Sequence, residues 1–339
     1  MVRILVLISV ILFSIYQSEQ VHFLSDNYIE KLNEKISTWK AGKNFPADTS
    51  ILHLKKLLGS KRREKNYLDT APFKTDDPAY ANITNIPESF DAREQWKHCE
   101  TIGHIPDQGQ CGTCWAVSTT SAFADRMCIA TEGKFNHLLS AEELGFCCAE
   151  CGNGCDGGYP IRAWEYFSTH GVVTGGDYDT KEGCQPYKVA PCEVDEKGYN
   201  PCDERPFEQN HKCIKQCYGN STIDYEKDHV YTKDFYYLYD PVIIQKDIMV
   251  YGPIEATLEV FEDFFNYKSG VYSLSSSSPM LGYHAVKLIG WGVEGGVKYW
   301  LLVNSWNTSW GDKGLFKIKR GSNECGIELR NSAGVPLVQ

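Results

Sequence analysis

The chain has 339 residues, 44 of them acidic against 34 basic, for a formal charge of −10. That balance argues against nucleic acid or an anionic membrane surface as a partner. Its fourteen cysteines point to disulfides formed in an oxidising compartment.

The chain opens with Arg3 and an apolar run from Ile4 to Phe13, too short to span a bilayer and followed by polar residues. This predicts a secretory signal over residues 1–19. No later stretch is apolar enough for a membrane helix. Acceptor sequons at Asn82, Asn220 and Asn307 fit the same route, whose end point is a lysosome or an extracellular or digestive lumen. Residues 20–85 carry no cysteine. They hold helical patterns on Ile29, Leu32 and Ile36, then on Leu52, Leu54, Leu57 and Leu58. The basic cluster Lys61 to Lys65 and a turn-rich stretch with Pro72 and Pro78 follow. A cysteine-free helical segment ahead of a cysteine-dense body reads as a removable pro-segment on an exposed linker; the alternative is a small helical domain that is retained.

The body, residues 86–339, is long enough for two lobes around a cleft. Helices are predicted near 114–130 and 160–170. Strands are predicted over Ile254 to Val260, His284 to Trp291, Lys298 to Val303 and Gly314 to Lys319. A helical half before a β half implies an α+β fold with the site between them. Ser275 to Ser278 reads as a loop.

The octapeptide Gln108-Gly109-Gln110-Cys111-Gly112-Thr113-Cys114-Trp115 places Cys114 at the start of an apolar helix. The free N–H groups and positive dipole end of a helix favour a thiolate there. Gln108 is placed to donate its amide to an oxyanion beside that sulfur. Among nine histidines, His284 stands at the start of an apolar strand, while Asn304 ends the next one. If the two strands pair around Gly295-Gly296, His284 and Asn304 fall at the same end. Asn304 then accepts the imidazole N–H, and Trp306 keeps water from the bond.

With these residues in place the chain resembles the papain-like cysteine proteases, and among them the cathepsin B-like branch. The resemblance rests on several blocks. They are Trp39 to Phe45, Ser89 to Trp96, Cys155-Asp156-Gly157-Gly158-Tyr159-Pro160, and His284 to Gly314. It implies a two-lobed fold with a helical left lobe and a β-barrel-like right lobe, preceded by a helical propeptide. It implies Cys114 as nucleophile, His284 as base and acid, Asn304 as orienter and Gln108 as oxyanion donor. Gly157 and Gly158 would hold the substrate backbone as an added strand, with Tyr159, Thr257, Tyr283, Ala285, Trp306 and Arg330 also lining the cleft. Implied partners are peptide or protein substrates, the chain's own propeptide and cystatin-like inhibitors; no cofactor or metal is implied. Cys114 and His284 are 170 residues apart, against roughly 130–150 in the papain pattern. The excess matches residues 184–217, which correspond to the branch's occluding loop. Implied disulfides are Cys99–Cys128, Cys111–Cys155, Cys147–Cys213, Cys148–Cys151, Cys184–Cys217 and Cys192–Cys202, leaving Cys114 and Cys325 free. A metal cluster among Cys147, Cys148, Cys151 and Cys155 is the rival arrangement.

Several positions depart from the pattern. Val194-Asp195 stand where the branch carries two histidines that bind a terminal carboxylate. Asp107 should thereby lose its partner in the loop, and Ser309 replaces a second latching aspartate. Together these predict a loose loop and weak removal of C-terminal dipeptides. Arg330 replaces a glutamate, which should turn the pocket for the second residue upstream of the cut toward acidic or apolar side chains. Tyr283 replaces glycine and is positioned to crowd the cleft or displace His284. Thr113 and Thr257 are milder changes. The sequence thus predicts a cysteine endopeptidase made as a zymogen; the rivals are a peptide-binding relative with little activity and a conventional dipeptidyl carboxypeptidase.

Overall fold

A computed structural model describes residues 22–61, 71–192, 202, 205–276 and 278–338. The predicted signal, Arg62 to Lys65 and the Val194-Asp195 pair lie outside the described residues. Two lobes meet at a cleft, a helical one first in sequence and a β-rich one second. The mixed α+β architecture is the one expected.

Three helices build the first lobe: α3 (Cys114–Ala130), α4 (Ala141–Cys147) and α5 (Pro160–Thr169). The helix α3 is buried along nearly its whole length, and only Ile129 and Ala130 at its end approach solvent. A helix with no wet face must satisfy its polar side chains internally. Thr119 and Thr120 return hydrogen bonds of 2.8 Å to the carbonyls of Trp115 and Ala116. Asp125 pairs with Lys287 at 2.8 Å. Arg126 pairs with Asp247 and donates to Pro253 O, Gly334 O and the Tyr236 hydroxyl. Phe123, Trp164 and Phe167 fill the space between α3 and α5.

The second lobe is a nine-stranded sheet. Its order is β1 (Trp39–Ala41), β6 (Tyr267–Tyr272), β9 (Leu315–Lys319), β8 (Val297–Val303), β7 (Met280–Glu294), β5 (Ile254–Phe261), β10 (Asn331–Ala333), β4 (Tyr236–Leu238), with β2 (Phe90–Asp91) on β7, while β3 (Tyr231–Thr232) and β11 (Pro336–Leu337) pair separately. The pairing of β7 with β8 turns at Gly295-Gly296, both with positive φ (55° and 80°). A two-residue turn of this kind matches the twist of the strands and suits glycine. It sets Glu294 opposite Val297 and, at the other end, Lys287 opposite Val303. The helix α6 (Pro241–Tyr251) packs against β7 and α3.

The N-terminal segment completes this lobe. Helix α1 (Asp26–Lys35) is capped by Ser25 and buries Ile29 and Leu32. Trp39 lies on strand β1, which periodicity did not predict, and packs on Tyr272 with ring centres 5.0 Å apart. Asn44 donates to the carbonyls of Phe265 and Tyr267 at 2.9 and 2.7 Å. Phe45 packs edge-on against Phe265 and Trp306. Helix α2 (Ile51–Lys56) buries Leu54 with Leu57 just beyond it, while Leu52 points to solvent, against its assignment to the apolar face. Residues 71–82, though largely exposed, are docked rather than free: Tyr80 is buried against α6.

All six implied disulfides are formed, and Cys114 and Cys325 are free. The four cysteines of the rival metal cluster are therefore consumed, and the described residues contain no other grouping of metal ligands. No described helix is long and apolar enough to cross a membrane.

Lys287→Met would leave Asp125 charged and unpaired at the centre of the molecule, at a cost of about 3–5 kcal/mol. Thermal unfolding of the zymogen should report this as a large drop in Tm. The double variant Asp125→Leu/Lys287→Met should recover most of it; failure to recover would assign the loss to packing rather than to the charge.

Candidate active site

Cys114 is the first residue of α3 and is wholly buried. Its Sγ accepts the Gly59 N–H at 3.2 Å and faces the backbone N–H of Ala285. His284 comes from β7 and Asn304 from the end of β8. The hairpin register brings them together, with Nε2 of His284 2.7 Å from Oδ1 of Asn304. An amide oxygen only accepts, so Nε2 carries the proton and Nδ1 the lone pair. No hydrogen bond of good geometry occupies Nδ1. Trp306 stacks on the imidazole with ring centres 4.6 Å apart. Tyr283 has not pulled His284 from its orienter.

Gln108 is held by Ser305, whose Oγ donates to its Oε1 at 2.6 Å. Its Nε2 donates to Cys111 O at 2.7 Å and to Leu57 O at 3.1 Å. The pro-segment carbonyl thus takes the hydrogen bond expected for an oxyanion. Burial dominates the titration of the covered site. It pushes the Cys114 thiol up to about 11. It pushes His284 down to about 4, against the hydrogen bond to Asn304 and the nearby Leu57 carbonyl. Under the pro-segment both shifts favour neutral thiol and neutral imidazole over the ion pair.

Residues 57–61 run through the cleft, and Gly59 to Lys61 bridge to Gly158 as an added strand. Gly158 donates to Gly59 O at 2.9 Å and accepts from Lys61 N at 2.8 Å, while Ser60 N donates to Tyr283 O at 3.2 Å. The fit admits no side chains. A Cβ on Gly157, whose φ is 93°, would lie 2.5 Å from Gly59 O, and one on Gly59 would lie 1.7 Å from Gly112 O.

Beside this strand opens a cavity of about 220 Å³, room for one side chain. Tyr159, Thr257, Arg330, Glu255, Ser332 and Phe73 contribute to its lining. Glu255 was not anticipated from sequence: it is one of two acids, with Glu259, in the run Ile254 to Val260, and only the fold shows that it is the buried one. It accepts from Thr257 Oγ1 at 2.7 Å and from Ser332 Oγ, and burial pushes its carboxyl up to about 8. Arg330 lies over the Tyr283 ring, 5.5 Å from its centre. A side chain entering here meets the Arg330 guanidinium on one side and the buried Glu255 carboxyl on the other.

Further corrections concern the loop and one sequon. Asp107 has not lost its partner: its Oδ2 accepts the Cys192 N–H at 2.8 Å and Asn307 Nδ2 at 3.0 Å. Backbone has replaced side chain at that latch. Ser309 donates to Asn307 Oδ1 at 2.6 Å instead of reaching the loop. Asn307 is therefore buried with both amide atoms engaged and is not presented for glycosylation, whereas Asn82 and Asn220 are exposed. His53 of the pro-segment is buried against the same region, 3.4 Å from Gln110 Nε2 and edge-on to Phe207.

Residues 86–335 match the papain family cysteine proteases, and residues 24–64 match the peptidase family C1 propeptide. The chain is 43% identical over 316 residues to cathepsin B-like cysteine proteinase 5 of Caenorhabditis elegans, covering 91% of this chain and 89% of that protein. It is 40% identical over 320 residues to the cathepsin B-like cysteine proteinase of Schistosoma japonicum, covering 94% and 92%. Among solved structures, proCathepsin B S9 from Trypanosoma congolense superposes with a TM-score of 0.79 at 32% identity, covering 94% of this chain and all of that one. With a propeptide lying in the cleft of a two-lobed peptidase domain, the chain belongs to the papain family of cysteine proteases, in its cathepsin B-like branch.

Proposed function

We propose that this zymogen yields a cysteine endopeptidase in which Cys114 is the nucleophile, His284 its acid and base, Asn304 the orienter and Gln108 the oxyanion donor. The observation that carries the reading is the convergence of a helix-start thiol, an Asn-oriented imidazole and a Ser-oriented glutamine in a cleft that the chain's own residues 57–61 fill. Once that strand leaves, water and substrate reach the sulfur, and the proton passes from Sγ to Nδ1 of His284. The thiolate adds to the peptide carbonyl. The oxyanion takes hydrogen bonds from Gln108 Nε2 and the Cys114 N–H. The imidazolium then gives its proton to the departing amine. A water, deprotonated by His284, adds to the thioester, and collapse of that intermediate frees the acid and the thiol.

The finer reading covers processing, destination and selectivity. A signal over 1–19 would route the chain to a lysosome or an extracellular lumen, with glycans on Asn82 and Asn220. A propeptide over 20–85 would precede the mature enzyme. Substrates, and cystatin-like inhibitors, would occupy the same Gly157-Gly158 edge that residues 57–61 use. The pocket between Arg330 and Glu255 suits neutral, apolar residues second upstream of the cut. Val194-Asp195 supply no cation for a terminal carboxylate, so endopeptidase action should dominate over removal of dipeptides.

Mass-spectrometric mapping of cuts in a mixed peptide pool tests the chemistry. The activated protein should make internal cuts that the Cys114→Ser form does not, with neutral residues enriched two places upstream. No difference between the two forms would overturn the assignment of Cys114.

Free-acid and amidated versions of one peptide should be cleaved at rates within about threefold of each other, since no charged contact worth the usual 1–3 kcal/mol awaits the carboxylate. A preference of tenfold or more for the free acid would mean that the loop supplies a cation.

Acidity should loosen the propeptide. Burial lowers the pKa of His53 from its ordinary 6.5. The docked segment therefore binds fewer protons than the free one, and docking is strongest above that pKa and weakens as pH falls below it. The inhibition constant of a 22–61 peptide should rise between pH 7 and pH 5, with a slope that approaches but does not exceed about tenfold per pH unit, the limit for one linked proton. His53→Gln should shrink that change at least threefold. An unaltered profile in the variant would remove His53 from the account.

A further inference from the structure

Two separate anchors hold the N-terminal region to the body. The first, residues 22–61, packs on the aromatic cluster and fills the cleft. The second, residues 71–82, sits on the opposite edge of the sheet. Tyr237 N donates to Pro72 O and Lys74 N to Tyr237 O, both at 2.9 Å, so the segment extends the sheet beyond β4. Phe73 stacks on Tyr237 with ring centres 5.4 Å apart and stands edge-on to Tyr239. Lys74 pairs with Asp77 at 2.8 Å and lies 3.9 Å over the Tyr236 ring. Asp77 also caps Ala79 N and accepts from the Tyr251 hydroxyl at 3.0 Å. Tyr80, 2% exposed, donates its hydroxyl to Asp247 Oδ2 at 2.7 Å, on the buried carboxylate that pairs with Arg126.

Phe73 is 58% exposed, yet its ring is held by Tyr237 and Tyr239, and it stands on the rim of the cavity shared by Arg330 and Glu255. We propose that residues 71–82 are a strap that stays on the body after residues 22–61 have left, and that Phe73 is a specificity-determining wall of the pocket for the second upstream residue. A chain cut only between the two anchors is then an enzyme with a narrowed pocket, and a further cut before Ile86 widens it. The inference rests on the proteolytic reading above. The asymmetry has a physical basis: after the first cut, residues 22–61 are a separate molecule and dilute away. The strap remains covalently joined to Ile86 and rebinds at a high effective concentration.

The test uses the full chain with a site-specific protease sequence replacing residues 63–69 and a different one replacing residues 83–85. The form cut once and the form cut twice and desalted are compared on peptides varied at the second upstream residue. In the once-cut form, kcat/KM for phenylalanine relative to alanine at that position should be at least tenfold lower. Phe73→Ala in the once-cut form should erase the difference. Equal ratios in the two forms would overturn the proposal. Hydrogen exchange on the once-cut Cys114→Ser chain gives an activity-independent reading. Protected amides at Lys74 and Tyr237 support the strap, and free-chain exchange at both overturns it. A lack of turnover in both forms would count against the proteolytic reading, while exchange still decides the strap.

Discussion

A helix with no solvent face sets the terms for everything else. Because α3 is buried along almost its whole length, its two charged side chains, Asp125 and Arg126, require partners from other elements, and those partners assemble the two lobes. Asp125 takes Lys287 from β7, three residues beyond His284 on the same strand. The ion pair therefore ties the helix that begins with Cys114 to the strand that carries the imidazole. Arg126, the next residue, gathers Asp247, Tyr236 and the carbonyls of Pro253 and Gly334, which brings β4, α6 and the C-terminal turn to the same place. Cys99–Cys128 clamps the far end of the helix. A buried charge with its partner removed is costly, so the relation of thiol to imidazole is enforced some distance from either.

The covered site is held in a chemically quiet state by the same physics that would energise it when opened. Without water, Cys114 and His284 are both driven toward their neutral forms. The pro-segment adds no charge to counter this: it brings a glycine N–H to the sulfur and a leucine carbonyl to Gln108. Occupying the hydrogen-bond donors and excluding solvent are one act, because one segment, with Gly59 at its closest approach, does both. The close backbone approach at Gly59, Gly112 and Gly157 is what allows it.

Two side chains of the cleft that depart from the expected pattern are partners. Arg330 and Tyr283, each of which replaces a branch residue of different character, meet as cation over ring, and this engages the guanidinium at the mouth of the pocket. The floor is a carboxyl held in its neutral range by burial. The pocket's character is therefore set by the pairing of its residues rather than by the formal charge of any one of them.

Much was legible in the sequence because it depends on local pattern. The start of α3 at Cys114, the Gly295-Gly296 turn, and hence the meeting of His284 with Asn304, follow from periodicity and from the one turn that a Gly-Gly pair between alternating strands favours. The disulfide pairing came from resemblance and could not be chosen by spacing. The contacts of Glu255 with Ser332, Asp107 with the Cys192 backbone, Asn307 with Asp107 and Tyr80 with Asp247 join residues tens to hundreds of positions apart. Nothing in the local sequence marks such pairs, since their energy comes from shared burial that exists only once the chain has closed. The sequence by itself determined the elements and the chemical groups of the site. Tertiary structure alone decided which polar groups lost water together, and so which are engaged, which are neutral and which remain open to a ligand.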